Sequence, residues 1–221
     1  MAYNTFNPIV TDGLITYIDA INRKSYDGGT QSVDMIGLSI GNLNNGVDYS
    51  NGSFILDGID DFIEFVDVYD INGLSELTIS FWINTSSNTS GFVSYWWTED
   101  PNGGGIEIEI YNGIVYIAFY SSIYFYTNQV VSINDWCHYT IVYNGNVNDA
   151  DKVKLIINNV EYNLSYAGII PTTIQNAKSL KIGVINDRYA SASIPNTMIY
   201  NRALTSDEIL QNYNAQKNRF I

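Results

Sequence analysis

The residues best placed for chemistry lie in the segment Gly105-Ile106-Glu107-Ile108-Glu109-Ile110-Tyr111. Alternate side chains of a strand share a face, so Glu107 and Glu109 point the same way. Two carboxylates side by side on a sheet are what glycoside hydrolysis uses, one as acid and the other as nucleophile or base. The next position on that face is Tyr111, and Asn112-Gly113 then closes an ordinary hairpin. The pair therefore reads as the solvated polar face of a half-buried strand. No catalytic residue is expected.

The other reactive groups are few. His138 is the only histidine and Cys137 the only cysteine. As strand neighbours they point to opposite faces and cannot form a dyad. One histidine and one cysteine do not make a zinc site. With Trp136 and Tyr139 around it, the thiol reads as a buried structural one. Neither a P-loop nor a dinucleotide-binding glycine pattern is present. The turn Asp57-Gly58-Ile59-Asp60-Asp61 is different, because it gathers hard oxygen ligands of the kind calcium takes. The alternative is a turn whose aspartates bond their own backbone. Asp12 and Asp19 are weaker candidates. Aromatic side chains cluster twice: Tyr95, Trp96 and Trp97 beside the tip Asp100-Pro101-Asn102-Gly103-Gly104-Gly105, and Tyr120, Tyr124, Phe125 and Tyr126. Trp96 and Trp97 project oppositely, so at most one belongs to a core. Exposed rings would bind sugar faces or a protein partner; the alternative is packing within a tyrosine-rich sheet.

These groups must be positioned by sheets. The chain has 221 residues, 18 of them Tyr, and only 15% are charged, which suits a sheet protein of one domain, 1–221. Strand-like runs recur between turn signals, among them Leu14–Ile18, Ser53–Leu56, Phe62–Val66, Leu77–Ile83, Phe92–Trp97, Ile114–Tyr120, Trp136–Tyr143, Val153–Ile157, Val160–Leu164, Leu180–Ile185 and Thr197–Tyr200. Residues 22–52 read as a long loop with short strands. The end changes character. Thr205-Ser206-Asp207-Glu208 is a capping box, and Ile209, Leu210 and Tyr213 give a helix over 205–218 an apolar face. Lys217 and Arg219 suit the negative end of its dipole. The expected fold is all-β, a two-sheet antiparallel sandwich with one short C-terminal α-helix.

The net charge of −13 repels phosphate backbones and anionic headgroups, so neither nucleic acid nor a membrane surface is an expected partner. No apolar run reaches membrane-spanning length. Met1-Ala2-Tyr3-Asn4 does not open a signal peptide, so synthesis in a cytoplasm is expected.

Five segments together resemble the concanavalin A-like lectin/glucanase superfamily, in particular laminin-G-like domains of bacteriophage structural proteins. They are Val10-Thr11-Asp12-Gly13-Leu14 through Tyr26, Phe54-Ile55-Leu56-Asp57-Gly58 through Ile63, Leu77–Ile83, Asp135–Tyr143, and Ile199-Tyr200-Asn201-Arg202-Ala203-Leu204 through Phe220. The first and last, occurring in one chain, resemble phage virion proteins more than animal laminin-G domains. The departure is at Ser32-Val33-Asp34-Met35, where the phage pattern has a Trp two residues before the Asp. The resemblance implies a jelly roll, structural calcium in many members, and carbohydrate binding as the commonest non-structural role. It sharpens the reading of the carboxylates. Glucanases of the superfamily carry two or three acids on alternate positions, whereas Tyr111 stands at the third position here and the central acid is Glu, not Asp. The function the resemblance implies is a non-enzymatic virion component (capsid decoration, head fibre or tail-associated) that adheres to host surface polysaccharide. Its partners would be capsid, fibre or tail proteins, and a fibre position would make it a homotrimer. A lectin-like module is the alternative, followed by a glycoside hydrolase. No cofactor is required beyond a structural calcium.

Overall fold

Apolar residues at every second position build two antiparallel sheets in the computed structural model, which describes residues 8–96, 105–120, 123–128 and 132–221. The strands are β1 (Leu14–Asp19), β2 (Gln31–Val33), β3 (Ile40–Asn44), β4 (Asp48–Ser50), β5 (Ser53–Asp57), β6 (Phe62–Phe65), β7 (Glu76–Thr85), β8 (Ser90–Trp96), β9 (Gly105–Tyr111) and β10 (Ile114–Tyr120). They continue with β11 (Ile123–Thr127), β12 (Trp136–Asn144), β13 (Val153–Ile157), β14 (Val160–Tyr162), β15 (Leu164–Ala167), β16 (Ser179–Ile182), β17 (Val184–Ile185), β18 (Arg188–Tyr189) and β19 (Ser191–Tyr200). One sheet runs β14-β13-β12-β7-β19-β5-β4, with β1 also on β19. The other runs β15-β11-β10-β9-β8-β16-β6-β3-β2. This is the expected jelly-roll sandwich.

The facing sides of the sheets make the core. Phe81 and Tyr139 stack at 5.4 Å from one sheet, and Phe92 meets both edge-on from the other. Ile106, Ile108 and Ile110 of β9 point inward with Val115, Ile117 and Phe119 of β10. That register puts Glu107 and Glu109 on the outer face. Asn112 and Gly113, at φ 52° and 76°, form the β9–β10 hairpin read from the sequence. Cys137 enters the core while His138 faces the other way, as strand alternation requires.

The C-terminal helix α1 (Ser206–Gln216) lies on the outer face of the first sheet. Its capping box forms in full between Thr205 and Glu208. The face it buries matches the expected one at Ile209 and at Tyr213, which stacks on Trp82, and differs at Leu210. Ile209, Asn212 and Gln216 are buried, whereas Leu210 is 39% exposed. The reason is the floor beneath it, where Ser80, His138, Thr140 and Asn196 point outward and buried. Such a floor needs hydrogen-bonding partners. Asn212 accepts from Val10 N at 2.8 Å and donates to Tyr200 Oη, and Asn196 donates to Gln216. The helix also stops at Gln216, before the expected 218. Arg219 does not serve its dipole but clamps Asp19 through both guanidinium nitrogens, at 2.9 and 2.7 Å.

Other differences have local causes. β19 is ten residues long, not four, because Pro195 sits at a bulge where no ladder donor is needed. At Ser32, where the phage pattern has Trp, a buried hydroxyl donates to Ser25 O. Asp34, also buried, accepts the amides of Tyr17 and Ile36. Polar closure therefore replaces the aromatic packing there.

Candidate functional site

The outer face of the nine-stranded sheet is covered in part by a hairpin, β17–β18. Its two-residue turn, Asn186-Asp187, has φ 46° and 60°, the left-handed pair that a tight hairpin needs. Gly91 on β8 allows the close approach: a Cβ there would lie 2.5 Å from Ile185 N. The hairpin thus brings Asn186 and Arg188 over β9.

Beneath it the register lines up two rows of side chains. Tyr116 stands opposite Glu109 on one side and Tyr126 on the other. Ala118 stands likewise between Glu107 and Tyr124. The small Ala118 leaves a hollow, and the rows form a cleft of about 380 Å³ lined by Glu107, Glu109, Tyr111, Tyr116, Ala118, Tyr124, Asn186 and Arg188. Tyr116, Tyr124 and Tyr126 make a ring cluster with centroids 5.8 to 6.0 Å apart. Tyr111 is 47% exposed at the mouth.

The carboxylates are not the solvated face that the strand pattern suggests. Glu107 is only 5% exposed and accepts from Asn186 Nδ2 at 3.3 Å. Burial, with the neighbouring Glu109 charge, pushes its carboxyl up to about 8. Arg188 and the Asn186 bond oppose this but do not prevail. Glu109 is held by Arg188, whose Nε donates to Oε2 at 2.7 Å. The cleft therefore holds, near neutral pH, a protonated acid beside a paired carboxylate. It offers hydrogen-bond donors, acceptors and ring faces in one place.

Tyr124 and Tyr126, singled out from the sequence, fall at this site. Tyr95 and Trp96 lie on β8, opposite Leu180 and Ser179, and Trp97 lies outside the described residues. Asn186 and Arg188 escaped the sequence reading; their signal was the Asn-Asp pair between Val184-Ile185 and Arg188-Tyr189. A larger cavity of about 570 Å³ lies behind the other sheet, by Ile156, Leu204 and Ile209, but among the described residues no aromatic ring lines it. Lys152 on its rim is already bonded to Ile170 O and Asp149.

The acidic turn is a separate place. Carboxylate oxygens of Asp57, Asp60 and Asp61 come within 4.8 Å of one another. Asp57 Oδ1 accepts the amides of Ile59 and Asp60, the self-bonded turn. Asp61 is buried, its Oδ2 accepts Asp57 N, and its Oδ1 meets no donor among the described residues. Burial raises its pKa, and the Asp57, Asp60 and Asp48 charges add to this. An all-oxygen set with one unsatisfied buried oxygen fits calcium. Arg219 clamps the buried Asp19, while Asp12 lies exposed and pairs with Arg202.

His138 is fully buried under α1, with Nε2 2.8 Å from Ser80 Oγ. Burial lowers its pKa to about 3, so it stays neutral.

Residues 57–210 match a laminin-G family profile described as the concanavalin A-like lectin/glucanases superfamily. The chain belongs to that superfamily. Similar solved structures include a Trypanosoma rangeli sialidase in complex with sialic acid, at TM-score 0.72 and 13% identity over 96% of this chain and 34% of that one. The receptor-binding domain of botulinum neurotoxin type G superposes at TM-score 0.68 and 18% identity, over 93% and 52% of the two chains. The serotype D ligand-binding domain, in complex with N-acetylneuraminic acid, superposes at TM-score 0.70 and 18% identity, over 93% and 51%. The chain thus spans about a third to a half of these proteins, and at such identities they share its concanavalin A-like fold. A search of curated proteins gives no match to the sequence.

Proposed function

We propose that this concanavalin A-like domain is a carbohydrate-binding module that reads glycans at the outer face of the nine-stranded sheet. The observation that carries it is the cleft itself: the tyrosine ring cluster joins Glu107, Glu109, Asn186 and Arg188 around one hollow. Sugars present hydroxyls at their edges and C–H faces above and below, which such a lining matches. Neighbours of the same fold, one of them in complex with N-acetylneuraminic acid, support the reading. Isothermal titration with oligosaccharides identified on a glycan array tests it. Tyr124→Ala is expected to weaken binding roughly five- to tenfold, since one aromatic contact contributes about 1 kcal/mol. Binding unchanged in Tyr124→Ala and Tyr116→Ala would move the site elsewhere.

The module binds without cleaving, because Glu109 is engaged by Arg188 and Tyr111 holds the third position on the strand. New reducing ends that Glu107→Gln abolishes would overturn this. Its setting is a bacteriophage particle, as a capsid decoration, head fibre or tail-associated component, with capsid, fibre or tail proteins as partners. That part rests on the opening and closing segments, which pack together: β1 pairs with β19, Arg202 bonds Asp12 O, and Arg219 bonds Asp19. Mass spectrometry of purified particles is expected to find the chain. Its absence would remove the virion setting and leave the binding module.

Calcium at Asp57, Asp60 and Asp61 is the second part of the proposal, carried by the unsatisfied buried Asp61 Oδ1. At 100-fold its dissociation constant, calcium is expected to add about 2.7 kcal/mol to stability. Melting in calcium against EDTA measures the gain, and Asp61→Asn is expected to abolish it. Equal midpoints in the two buffers would rule the site out.

A further inference from the structure

How the charges of the cleft are paired bears on which sugars enter it. Arg188 is the one cation among the described residues that line it. Its Nε donates to Glu109 Oε2 at 2.7 Å, and its Nη2 pairs with the same oxygen. The Glu109 side chain is 14% exposed. Drawing Arg188 away would therefore leave a largely buried carboxylate without its partner, a strongly unfavourable state. An acidic sugar is best held by a guanidinium whose donors are free to fork around its carboxylate. Here the Nε and Nη2 edge of that fork is already engaged by Glu109, and Glu107 stands beside it. With Glu107 protonated the lining carries no net charge, and with Glu107 ionised it is negative. The chain's net charge of −13 adds repulsion at longer range. What remains suits hydroxyls: the Asn186 amide, the carboxyl oxygens and the tyrosine rings.

We propose that the cleft selects uncharged sugars and rejects acidic ones, and that Glu109 determines this specificity by keeping Arg188 occupied. The inference rests on the cleft being a carbohydrate site. It sets this chain apart from the neighbours solved in complex with sialic acids.

The test is an array of uncharged glycans printed beside their sialylated and uronate-containing counterparts, probed with the full chain at pH 6, with titration of each matched pair that gives signal. The uncharged member is expected to bind at least about tenfold more tightly, a difference of about 1.4 kcal/mol. Glu109→Gln releases the guanidinium and is expected to narrow that preference at least about fivefold. Adding Arg188→Gln to it should restore the preference. Acidic members binding equally or better would overturn the inference and leave the carbohydrate reading intact. A preference unchanged in folded Glu109→Gln would overturn the role of Glu109. No signal from any glycan would overturn both the carbohydrate reading and this inference. The wild-type comparison needs no variant, so it decides selectivity even where Glu109→Gln fails to fold.

Discussion

Glu107→Gln is expected to stabilise the protein by about 3 kcal/mol at pH 7, by about 5 kcal/mol above pH 9, and hardly at all near pH 4. The carboxyl ionises near its ordinary value of 4.5 in the unfolded chain and at about 8 in the folded one. Between those values the native state keeps a proton that the unfolded state has released. Stability therefore falls as pH rises through this window, by about 1.4 kcal/mol per unit, and levels off above the folded value. Glutamine keeps the shape and cannot ionise, so the variant loses the decline. Urea denaturation of both proteins at pH 4.5, 7 and 9 measures it. A difference that stays flat with pH would mean that the carboxyl is hydrated in the folded protein. The same result bears on function, because a carboxyl protonated near neutral pH can donate to a sugar oxygen.

Trp82→Ala is expected to cost about 3 to 5 kcal/mol. Trp82 is fully buried between the first sheet and the C-terminal segment. It stacks on Tyr213 at 5.7 Å and meets Phe220 at 4.7 Å and His138 at 5.1 Å. At about 2–4 °C per kcal/mol for a chain of this size, the melting midpoint should fall by roughly 10 °C. Limited proteolysis should then cut within residues 206–221, since the helix loses its main apolar anchor. Glycan binding at the opposite sheet should persist at temperatures where the variant is folded. A midpoint lowered by less than about 2 °C would show that α1 is not docked through this ring.

Both effects involve residues whose surroundings are assembled from distant parts of the chain. Trp82 lies in the alternating run Leu77–Ile83, legible as a strand with one buried face. That its own face is also buried depends on a helix more than 120 residues later. The capping box announced that helix, and Ile209 and Tyr213 pack as its apolar spacing predicts, whereas Leu210 does not. Hydrophobic spacing pointed to Leu210, while the sheet beneath presents hydroxyls, amides and an imidazole that Asn212 and Gln216 match. A polar residue buried because its partner is polar leaves no hydrophobic period to read.

The sequence by itself determined the sandwich, the β9–β10 hairpin, the helix cap and the opposite placement of Cys137 and His138. All of these follow from local periodicity and turn chemistry, which act over a few residues. It also determined that Glu107 and Glu109 share a face. Only the tertiary structure decided what that face meets. Gly91 lets the Val184–Tyr189 hairpin settle on the sheet, and Asn186 and Arg188 then remove one carboxyl from water and pair the other. The carboxyls and the groups that tune them are 79 residues apart in the chain. Desolvation and charge pairing are properties of that contact, not of the strand, so a segment that read as the solvated face of a half-buried strand became the lining of a cleft.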